Sequence, residues 1–197
     1  MCGRYSLNPA DSDAWIAERI DLLNRHALPQ AALKTQGDVY PSDFVPVVAN
    51  NRRMEPSVFA MQWGYSVGSR RIINARSEEA AEKPLFMDGM RRRRCLIPAD
   101  SYYEWEKRDG MRIKYAIRPA QEKEFFLAGL YRLEFDRPVF TILTRQAAGC
   151  IAFIHERMPV LLPRQLMKDW LDPSVPAQSL LSQAITDVCW EACNNPG

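Results

Sequence analysis

Cys2, which directly follows the initiator methionine, is the first residue whose position favours unusual chemistry. Its small side chain permits removal of Met1, and the new first residue then carries an α-amine and a thiol on adjacent carbon atoms. The amine has a reference pKa of about 7.7–8.0 and the thiol one of about 8.5, so each has a reactive fraction near neutral pH. Such a 1,2-aminothiol reacts with an aldehyde to give an imine and then a five-membered thiazolidine. Taken alone, however, a Met-Cys start is more often an inert terminus.

The segment from Asn74 to Glu78, Asn-Ala-Arg-Ser-Glu, is a second candidate. The Asn74 amide can bind a backbone group or a hydroxyl, and the Arg76 guanidinium can bind a phosphate or carboxylate through two parallel hydrogen bonds. Ser77, followed by Glu-Glu-Ala-Ala-Glu, predicts a helix start whose free N–H groups would add an anion site. An ordinary capped turn explains the same residues.

The aromatic segment around Glu104 predicts a strand that carries a carboxylate. In a strand, Tyr102, Glu104 and Glu106 share one face, whereas Tyr103 and Trp105 share the other. Flanking aromatic residues can exclude water from Glu104, which raises the pKa of a carboxyl into a range useful for proton transfer. The alternative is an exposed edge carboxylate beside packed aromatic residues.

His155 lies in a polar, charged segment, Ile154 to Pro159, and is a candidate for acid–base chemistry. The other histidine, His26, is expected at the C-terminal end of the first helix, where a positive charge is favourable. Cys189 and Cys193 show no zinc-finger spacing with either histidine. We therefore expect no metal and no cofactor, and we assign the two cysteines to an inert face of a C-terminal helix.

The composition is that of an ordinary globular domain. The 197 residues are 47% hydrophobic and contain no repeat or low-complexity linker, so residues 1–197 are expected to form a single domain. No apolar stretch approaches the roughly 20 residues needed to span a bilayer. The first residues lack the apolar region of a secretory signal. We expect a cytoplasmic monomer without a membrane segment.

The net charge of +2 is nearly neutral, but the arginines are unevenly placed. Several lie between Asn50 and Arg76, where Glu55 is the one acid, and the residues from Arg91 to Arg94 are all arginine. Clusters of guanidinium in a neutral protein predict an anion-binding face, with phosphates as the partner. A charge-protected strand edge explains the consecutive arginines equally well.

Hydrophobic periodicity predicts helices near both ends of the chain and strands in the middle. The predicted helices run from about Pro9 to His26, Pro163 to Leu171 and Ala177 to Val188. Short runs rich in β-branched and aromatic residues begin at about Phe44 and continue past Cys95. The predicted class is α+β, with a curved, largely antiparallel, barrel-like sheet and peripheral helices.

Together these segments resemble one family. MCGR, NARSE, RRCLIPADSYYEW, AGLY, TILT and IHERMPVLL occur in the order and spacing of the SOS-response-associated peptidase (SRAP) family, from Cys2 to about Trp170. The resemblance implies a SRAP-type domain that senses abasic sites in single-stranded DNA. It also implies a reversible thiazolidine crosslink between the N-terminal cysteine and the ring-opened sugar, which shields the lesion, and removal of the initiator methionine at the same site.

The resemblance also assigns roles to individual residues. The implied roles are nucleophile for Cys2, positioning of the N-terminus for Asn74, proton shuttle for Glu104, and ring opening or acid–base assistance for His155. The implied DNA contacts are Arg4, Arg76, Trp63, Trp105 and Thr144. The implied partner is single-stranded DNA that contains abasic sites, and the protein would associate with the nucleoid when bound to it.

The chain departs from the family's pattern at a few positions. The segment after Trp63 and Gly64 is shortened to Tyr-Ser-Val-Gly-Ser-Arg-Arg-Ile-Ile. Other departures are Asp38, Ser101, Tyr131 and Ala148. None of them touches the four implied catalytic positions. They predict an altered DNA affinity or a different preferred DNA architecture.

The residues themselves leave three other functions open. N-terminal-nucleophile hydrolases such as glutamine amidotransferases also begin Met-Cys-Gly, but this chain has no Asn-Gly dipeptide for their oxyanion segment. A thiol peptidase acting on other proteins would pair Cys2 with His155. A non-catalytic nucleic-acid module would bind DNA in a salt-sensitive way without needing Cys2.

Overall fold

A computed structural model describes residues 2–8, 14–26, 33–122 and 124–193 of the chain. The helices are α1 (Ala14–His26), α2 (Pro84–Arg92), α3 (Met167–Leu171) and α4 (Ala177–Leu181), with short 3-10 helices at Gly149–Ile151 and Arg164–Leu166. The strands are β1 (Tyr5–Leu7), β2 (Gly37–Val39), β3 (Phe44–Asn50), β4 (Pro56–Trp63), β5 (Tyr65–Val67), β6 (Arg70–Ile72), β7 (Asn74–Arg76), β8 (Arg94–Ala99), β9 (Ser101–Arg108), β10 (Met111–Pro119), β11 (Phe125–Glu134), β12 (Arg137–Gln146), β13 (Arg157–Pro159), β14 (Leu161–Pro163) and β15 (Val188–Ala192). No helix in these ranges is long and apolar enough to cross a membrane.

The larger sheet closes into a barrel. Its strands follow the order β12, β4, β3, β8 and β11, and β11 also pairs with β12 to complete the ring. The pairs are antiparallel except where β12 runs parallel to β4 and to β7. The predicted α+β class with a barrel-like, largely antiparallel sheet is confirmed.

A second, antiparallel sheet covers one side of the barrel, in the order β15, β10, β9, β1 and β2. The side chains of β9 alternate between its faces, since Tyr102 and Glu104 are buried whereas Tyr103 and Trp105 are only partly buried. The inner face packs on the barrel through residues such as Tyr5 of β1. The outer face carries Tyr103 and Trp105.

The helices pack on the opposite side of the barrel. The buried residues there include Ile16 of α1, Phe86 of α2 and Trp170 of α3. The Trp170 Nε1–H donates to the Cys95 carbonyl at 2.9 Å, which ties α3 to β8. The helices therefore cover the side of the barrel that faces away from the second sheet. The candidate site lies on the other side, at the inner face of the second sheet.

Two of the predicted helices are wrong in extent. The residues after Ser77 form turns, and helix α2 begins only at Pro84. Pro84 lacks the N–H that a helix continuing from Ser77 would need, but its fixed φ suits the first helical position. Near the end of the chain, α4 stops at Leu181, and Cys189 lies in β15, paired with Arg118 of β10. The assignment of that cysteine to a helix face is therefore wrong.

The first helix is confirmed from Ala14 to His26, whereas the predicted residues 9–13 and the side chain of His26 lie outside the described part. The shortened segment after Trp63 folds as a hairpin of β5 and β6. Gly64 enters this hairpin with φ +107°, where a Cβ would clash with the Arg71 side chain. Glycine is thus required at the point where the chain turns back towards β7.

Candidate active site

Cys2 is fully buried at the junction of the barrel and the second sheet. Its Sγ lies 3.6 Å from the Arg4 carbonyl, to which the thiol donates. Burial, and secondly the negative charge of Glu104, raise the pKa of the Cys2 thiol far above its ordinary value. The thiol is therefore held in its neutral form, and it needs a nearby group to accept its proton before it can react as a nucleophile.

Asn74 holds the backbone of Cys2. Its Nδ2 donates to the Cys2 carbonyl at 2.8 Å, and its buried Oδ1 has no hydrogen-bond partner among the described residues. Asn74 reaches this position because β7 runs parallel to β12, with Asn74 opposite Ile142. The Ile73 carbonyl just before β7 accepts hydrogen bonds from the Trp63 indole N–H at 3.0 Å and from Ile142 N–H at 3.0 Å. The amide is thus fixed by the barrel itself.

Glu104 supplies a buried carboxyl beside Cys2. It lies on the inner face of β9 and is 4% exposed. Burial raises the pKa of the Glu104 carboxyl, and the charge of His155 opposes this effect. Burial thus shifts the pKa of both groups, the Glu104 carboxyl and the Cys2 thiol, upwards, in the direction that favours the protonated form of each.

His155 follows the 3-10 helix Gly149–Ile151 and is held by backbone contacts. Its Nδ1 accepts a hydrogen bond from Arg157 N–H at 2.9 Å. An accepting Nδ1 leaves the proton of the neutral ring on Nε2, so the ring presents a donor on its other side. The electrostatic influence of His155 on Glu104 places the two groups in one site.

The four expected catalytic residues therefore come from four separate parts of the chain and meet in one place. The hydrogen bond from Asn74 joins β7 to Cys2, and the electrostatic interactions of Glu104 join β9 to Cys2 and to His155. The site contains a thiol, a buried carboxyl, an imidazole and an amide. This set can form and break bonds to a carbonyl carbon while protons move between oxygen, nitrogen and sulfur.

Of the residues expected to contact DNA, Arg4, Trp105 and Arg76 lie at the surface. The Arg4 guanidinium carbon is 5.0 Å from the Trp105 ring centroid, and one of its nitrogen atoms is 3.7 Å from Asp38 Oδ2. Arg76 is largely exposed and forms an ion pair with Glu79 at 3.4 Å. All three side chains can therefore be approached by a large ligand.

Trp63 and Thr144 do not have the surface positions that were expected of them. Trp63 is fully buried and stacks on Phe140, with ring centroids 6.2 Å apart, so no base can reach it. Thr144 is also fully buried, and its Oγ1 donates to the Ala75 carbonyl at 3.4 Å. Both residues instead support β7, Trp63 through its indole hydrogen bond and Thr144 through the parallel pairing of β12 with β7.

The consecutive arginines, Arg91 to Arg94, do not share one role. Arg94 is buried and donates to the carbonyls of Val175 and Asp172, which anchors the segment after α3. Arg92 and Arg93 pair with Asp88 at 2.6 and 3.3 Å. The expectation that this run of arginines belongs to an anion-binding face is therefore wrong for Arg94. The side chains of Arg92 and Arg93 are exposed, but each already pairs with a carboxylate.

Two supporting residues were not assigned from the sequence. Arg157 donates to both carboxyl oxygens of Glu78, at 2.8 Å each, and to the Thr144 carbonyl at 2.8 Å. It thereby links the His155 segment to the turn after β7, and it lowers the pKa of Glu78 to about 2. Tyr102 places a buried hydroxyl near Cys2 and Glu104, and in the part of the chain that the structure describes this hydroxyl has no hydrogen-bond partner. The sequence signal that could have identified Arg157 as a supporting residue was its position two residues after His155.

Comparisons with known proteins agree on one family. The family model described as "SOS response associated peptidase (SRAP)" matches residues 1–193. The abasic site processing protein YoaM of Bacillus subtilis (strain 168) is 32% identical over 190 residues, which cover 88% of this chain and 80% of that protein. The abasic site processing protein YedK of Escherichia coli (strain K12) is 29% identical over 116 residues, covering 55% of this chain and 52% of that protein.

Solved structures share the fold. A crystal structure of a protein from Bacteroides thetaiotaomicron superposes with a TM-score of 0.74 at 22% identity, covering 98% of this chain and 93% of the other. A phage-related protein from Bordetella bronchiseptica gives a TM-score of 0.74 at 24% identity, with 98% and 95% covered. At these identities the two likenesses show a shared fold.

Proposed function

The chain belongs to the SOS response associated peptidase family, and from this premise we propose that it processes abasic sites in DNA. In this proposal Cys2, exposed by removal of Met1, forms a reversible thiazolidine crosslink with the ring-opened sugar of an abasic site in single-stranded DNA. Support comes from the names of its relatives, which are called abasic site processing proteins. Further support comes from the placement of three chemically suitable side chains, those of Asn74, Glu104 and His155, around Cys2.

The proposed reaction starts on the sugar. An abasic sugar is a closed hemiacetal, and opening it moves the hydroxyl proton to a base while the ring oxygen gains a proton. His155, whose Nε2 carries the ring proton when the imidazole is neutral, donates to that oxygen. The Cys2 amine then attacks the aldehyde carbon, so a C–N bond forms and the carbonyl oxygen takes a proton to give a carbinolamine.

Loss of water and ring closure complete the crosslink. Glu104 in its neutral form donates a proton to the carbinolamine hydroxyl, which leaves as water. The nitrogen of the resulting iminium ion then returns a proton to the Glu104 carboxylate, which gives the imine. The Cys2 sulfur then adds to the imine carbon, and the thiol proton is transferred through Glu104 to the nitrogen. The net change is the loss of one water molecule, and the reverse sequence restores the aldehyde and the free aminothiol.

The observation that carries this proposal is that the Glu104 carboxyl and the Cys2 thiol are both buried and interact electrostatically, with the pKa of each raised. A thiol peptidase that acts on other proteins needs an activated thiolate of lowered pKa. A neutral thiol beside a proton-exchanging carboxyl instead suits addition to an imine. We propose in addition that the same residues assist the release of Met1 from Cys2.

Arg4, Arg76 and Trp105 are the proposed contacts to the DNA strand. Arginine binds phosphates, and an aromatic ring stacks on a base that is not already stacked in a duplex, which favours a single strand. Because all four catalytic side chains belong to one chain, the proposed active form is a monomer. A protein with this activity would act in the cytoplasm and lie on the nucleoid when bound to DNA.

The proposal is tested with a single-stranded oligonucleotide that contains one abasic site. The wild-type protein is expected to give a heat-stable adduct on a denaturing gel, and Cys2→Ala is expected to give none. Cys189→Ala is the matched control, because this thiol is partly exposed but lies on β15, away from Cys2 in the sheet. An undiminished adduct in Cys2→Ala would refute the proposal.

A further inference from the structure

Tyr102 carries a buried hydroxyl inside the candidate site. It lies on the inner face of β9, two residues before Glu104, and its ring belongs to the same buried cluster as Cys2. The side chain is 0% exposed, and within residues 2–8, 14–26, 33–122 and 124–193 its Oη has no hydrogen-bond partner. Burying a hydroxyl without such a partner destabilises the folded state, and native proteins contain few of these groups. The Tyr102 hydroxyl therefore needs an explanation other than packing.

The pairing of the strands places this hydroxyl near both the thiol and the carboxyl. The Tyr103 N–H donates to the Arg4 carbonyl at 2.9 Å, which brings the residues just before β1 alongside the middle of β9. Tyr102 and Glu104 flank Tyr103 on the inner face, so both side chains face the segment that carries Cys2. Burial, and secondly the negative charges of Cys2 and Glu104, raise the pKa of the Tyr102 hydroxyl, which therefore stays neutral.

A neutral phenol can accept one hydrogen bond and donate another at the same oxygen atom. The Cys2 thiol itself donates to the Arg4 carbonyl at 3.6 Å. A backbone carbonyl accepts a hydrogen bond but is too weak a base to take the proton. Closure of the thiazolidine ring needs a path from the sulfur to Glu104, and the Tyr102 hydroxyl is a group near both that can pass a proton without becoming charged.

We propose that the Tyr102 hydroxyl relays the proton of the Cys2 thiol to Glu104 when the thiazolidine ring closes. This inference rests on the proposed function and deepens it by adding a further side chain to the same site. As the sulfur bonds to the imine carbon, its proton passes to the Tyr102 oxygen, and the proton of Tyr102 passes to Glu104. The electrons of the C=N bond move to the nitrogen, which takes the proton that Glu104 gives up. The phenol and the carboxyl are thus neutral before and after the step, and no other reactant is needed.

The test separates formation of the imine from closure of the ring in Tyr102→Phe, which removes the hydroxyl and keeps the aromatic ring. Protein without Met1 is mixed with a single-stranded oligonucleotide that contains one abasic site, and samples taken at short times are divided. One half is reduced with cyanoborohydride before denaturation, which makes the imine permanent. The other half is heated without reduction, so that only the closed ring survives. The difference between the halves measures the imine.

Tyr102→Phe is expected to form the imine at the wild-type rate and to convert it into the heat-stable adduct about tenfold more slowly. This factor is smaller than the roughly 100-fold effect of a lost acid–base group, because a water molecule can partly replace a relay hydroxyl. The melting temperature should be unchanged or higher, since the substitution removes a hydroxyl that is buried without a hydrogen bond. A purely structural role would not slow one step of the reaction in a protein that is at least as stable.

Thr141→Val is the matched control, because Thr141 Oγ1 is also fully buried and has no hydrogen-bond partner in the same described ranges. Thr141 lies on β12 and shares a strand face with Val139 and Leu143, which pack in the cluster on the side of the helices. This variant should close the ring at the wild-type rate. Tyr5→Phe removes another buried hydroxyl near Cys2, directly opposite Tyr102 on β1. It should also leave closure unchanged, because Tyr102 is the residue that shares the inner face of β9 with Glu104.

The outcomes separate the relay from the proposed function. If Tyr102→Phe closes the ring as fast as Thr141→Val, or if Tyr5→Phe slows closure as much as Tyr102→Phe, the relay is wrong while the crosslink of the wild-type protein stands. If the wild-type protein gives neither the trapped imine nor the heat-stable adduct, the proposed function fails, and the relay that rests on it fails as well.

Discussion

Substitution of Asn74 by alanine tests whether one buried hydrogen bond positions the reacting residue. The bond runs from Asn74 Nδ2 to the Cys2 carbonyl at 2.8 Å, and Cys2 is fully buried. Removing the donor leaves a buried carbonyl without its partner, which costs about 1–3 kcal/mol. If this cost falls on the reactive placement of Cys2, the crosslinking rate falls by about 5- to 150-fold.

The chain offers a closely matched control in Asn50. Its Nδ2 donates to the Leu171 carbonyl at 2.9 Å, and its buried Oδ1 likewise has no hydrogen-bond partner within the described ranges. Asn50→Ala is therefore expected to destabilise the fold by a similar amount, lowering the melting temperature by about 2–4 °C per kcal/mol for a chain of this size. It should leave the crosslinking rate unchanged, because Asn50 anchors the end of α3 and does not contact Cys2.

The assay is single-turnover adduct formation at saturating abasic DNA, read from a denaturing gel, together with the melting temperature of each variant. Asn74→Ala should slow the reaction far more than Asn50→Ala at a comparable loss of stability. Binding of an undamaged single strand should be unchanged in both variants. Equal rates for the two variants would refute the reasoning, since the effect of Asn74 would then be one of stability alone.

Three further predictions follow from neighbouring groups. Glu104→Gln removes a proton donor and should slow crosslinking about 100-fold or more. The pH–rate profile of this variant should also lose one limb, and an unchanged profile would mean that Glu104 takes no part in the proton transfer. Glu78→Gln should lower stability at pH 7 by less than about 1 kcal/mol, since Glu78 is half exposed. The Glu78 pKa is about 2 when folded against 4.5 as its ordinary value, so the ion pair stabilises the fold above pH 4.5 and its effect disappears as the pH falls towards 2. Denaturant unfolding at several pH values should therefore show the two proteins converging in acid, and a constant difference would contradict this. Asp38→Asn frees Arg4 and Lys114 from their shared carboxylate and should tighten single-strand binding at low salt, whereas an unchanged affinity in anisotropy titrations would mean that Asp38 does not compete with phosphate.

The local pattern of β9 could be predicted from the sequence because it depends on alternation alone. Placing Tyr102 and Glu104 on one face and Tyr103 and Trp105 on the other requires only that the segment is extended. The burial of Glu104 depends in addition on the barrel that covers this face. The sequence therefore predicted which residues share a face with Glu104, while the burial of its carboxyl and its raised pKa are properties of the assembled fold.

The errors arise where distant segments decide the environment of a residue. The resemblance implied that Trp63 contacts DNA, but the stacking of its ring on Phe140 and the closure of the barrel bury it completely. Arg94 stood in a run of arginines, yet it is buried against the segment after α3. Cys189 followed a helical pattern but pairs with β10 as a strand. None of these long-range partners is encoded in local periodicity, so only the folded chain reveals them.

The central claim is that a free aminothiol at Cys2 forms the covalent bond, and the intact mass of the protein after incubation with abasic single-stranded DNA tests it most directly. The account predicts a species equal to the protein without Met1 plus the oligonucleotide minus one water molecule, and no such species for Cys2→Ala. An adduct on Cys2→Ala, or one on protein that still carries Met1, would contradict the account.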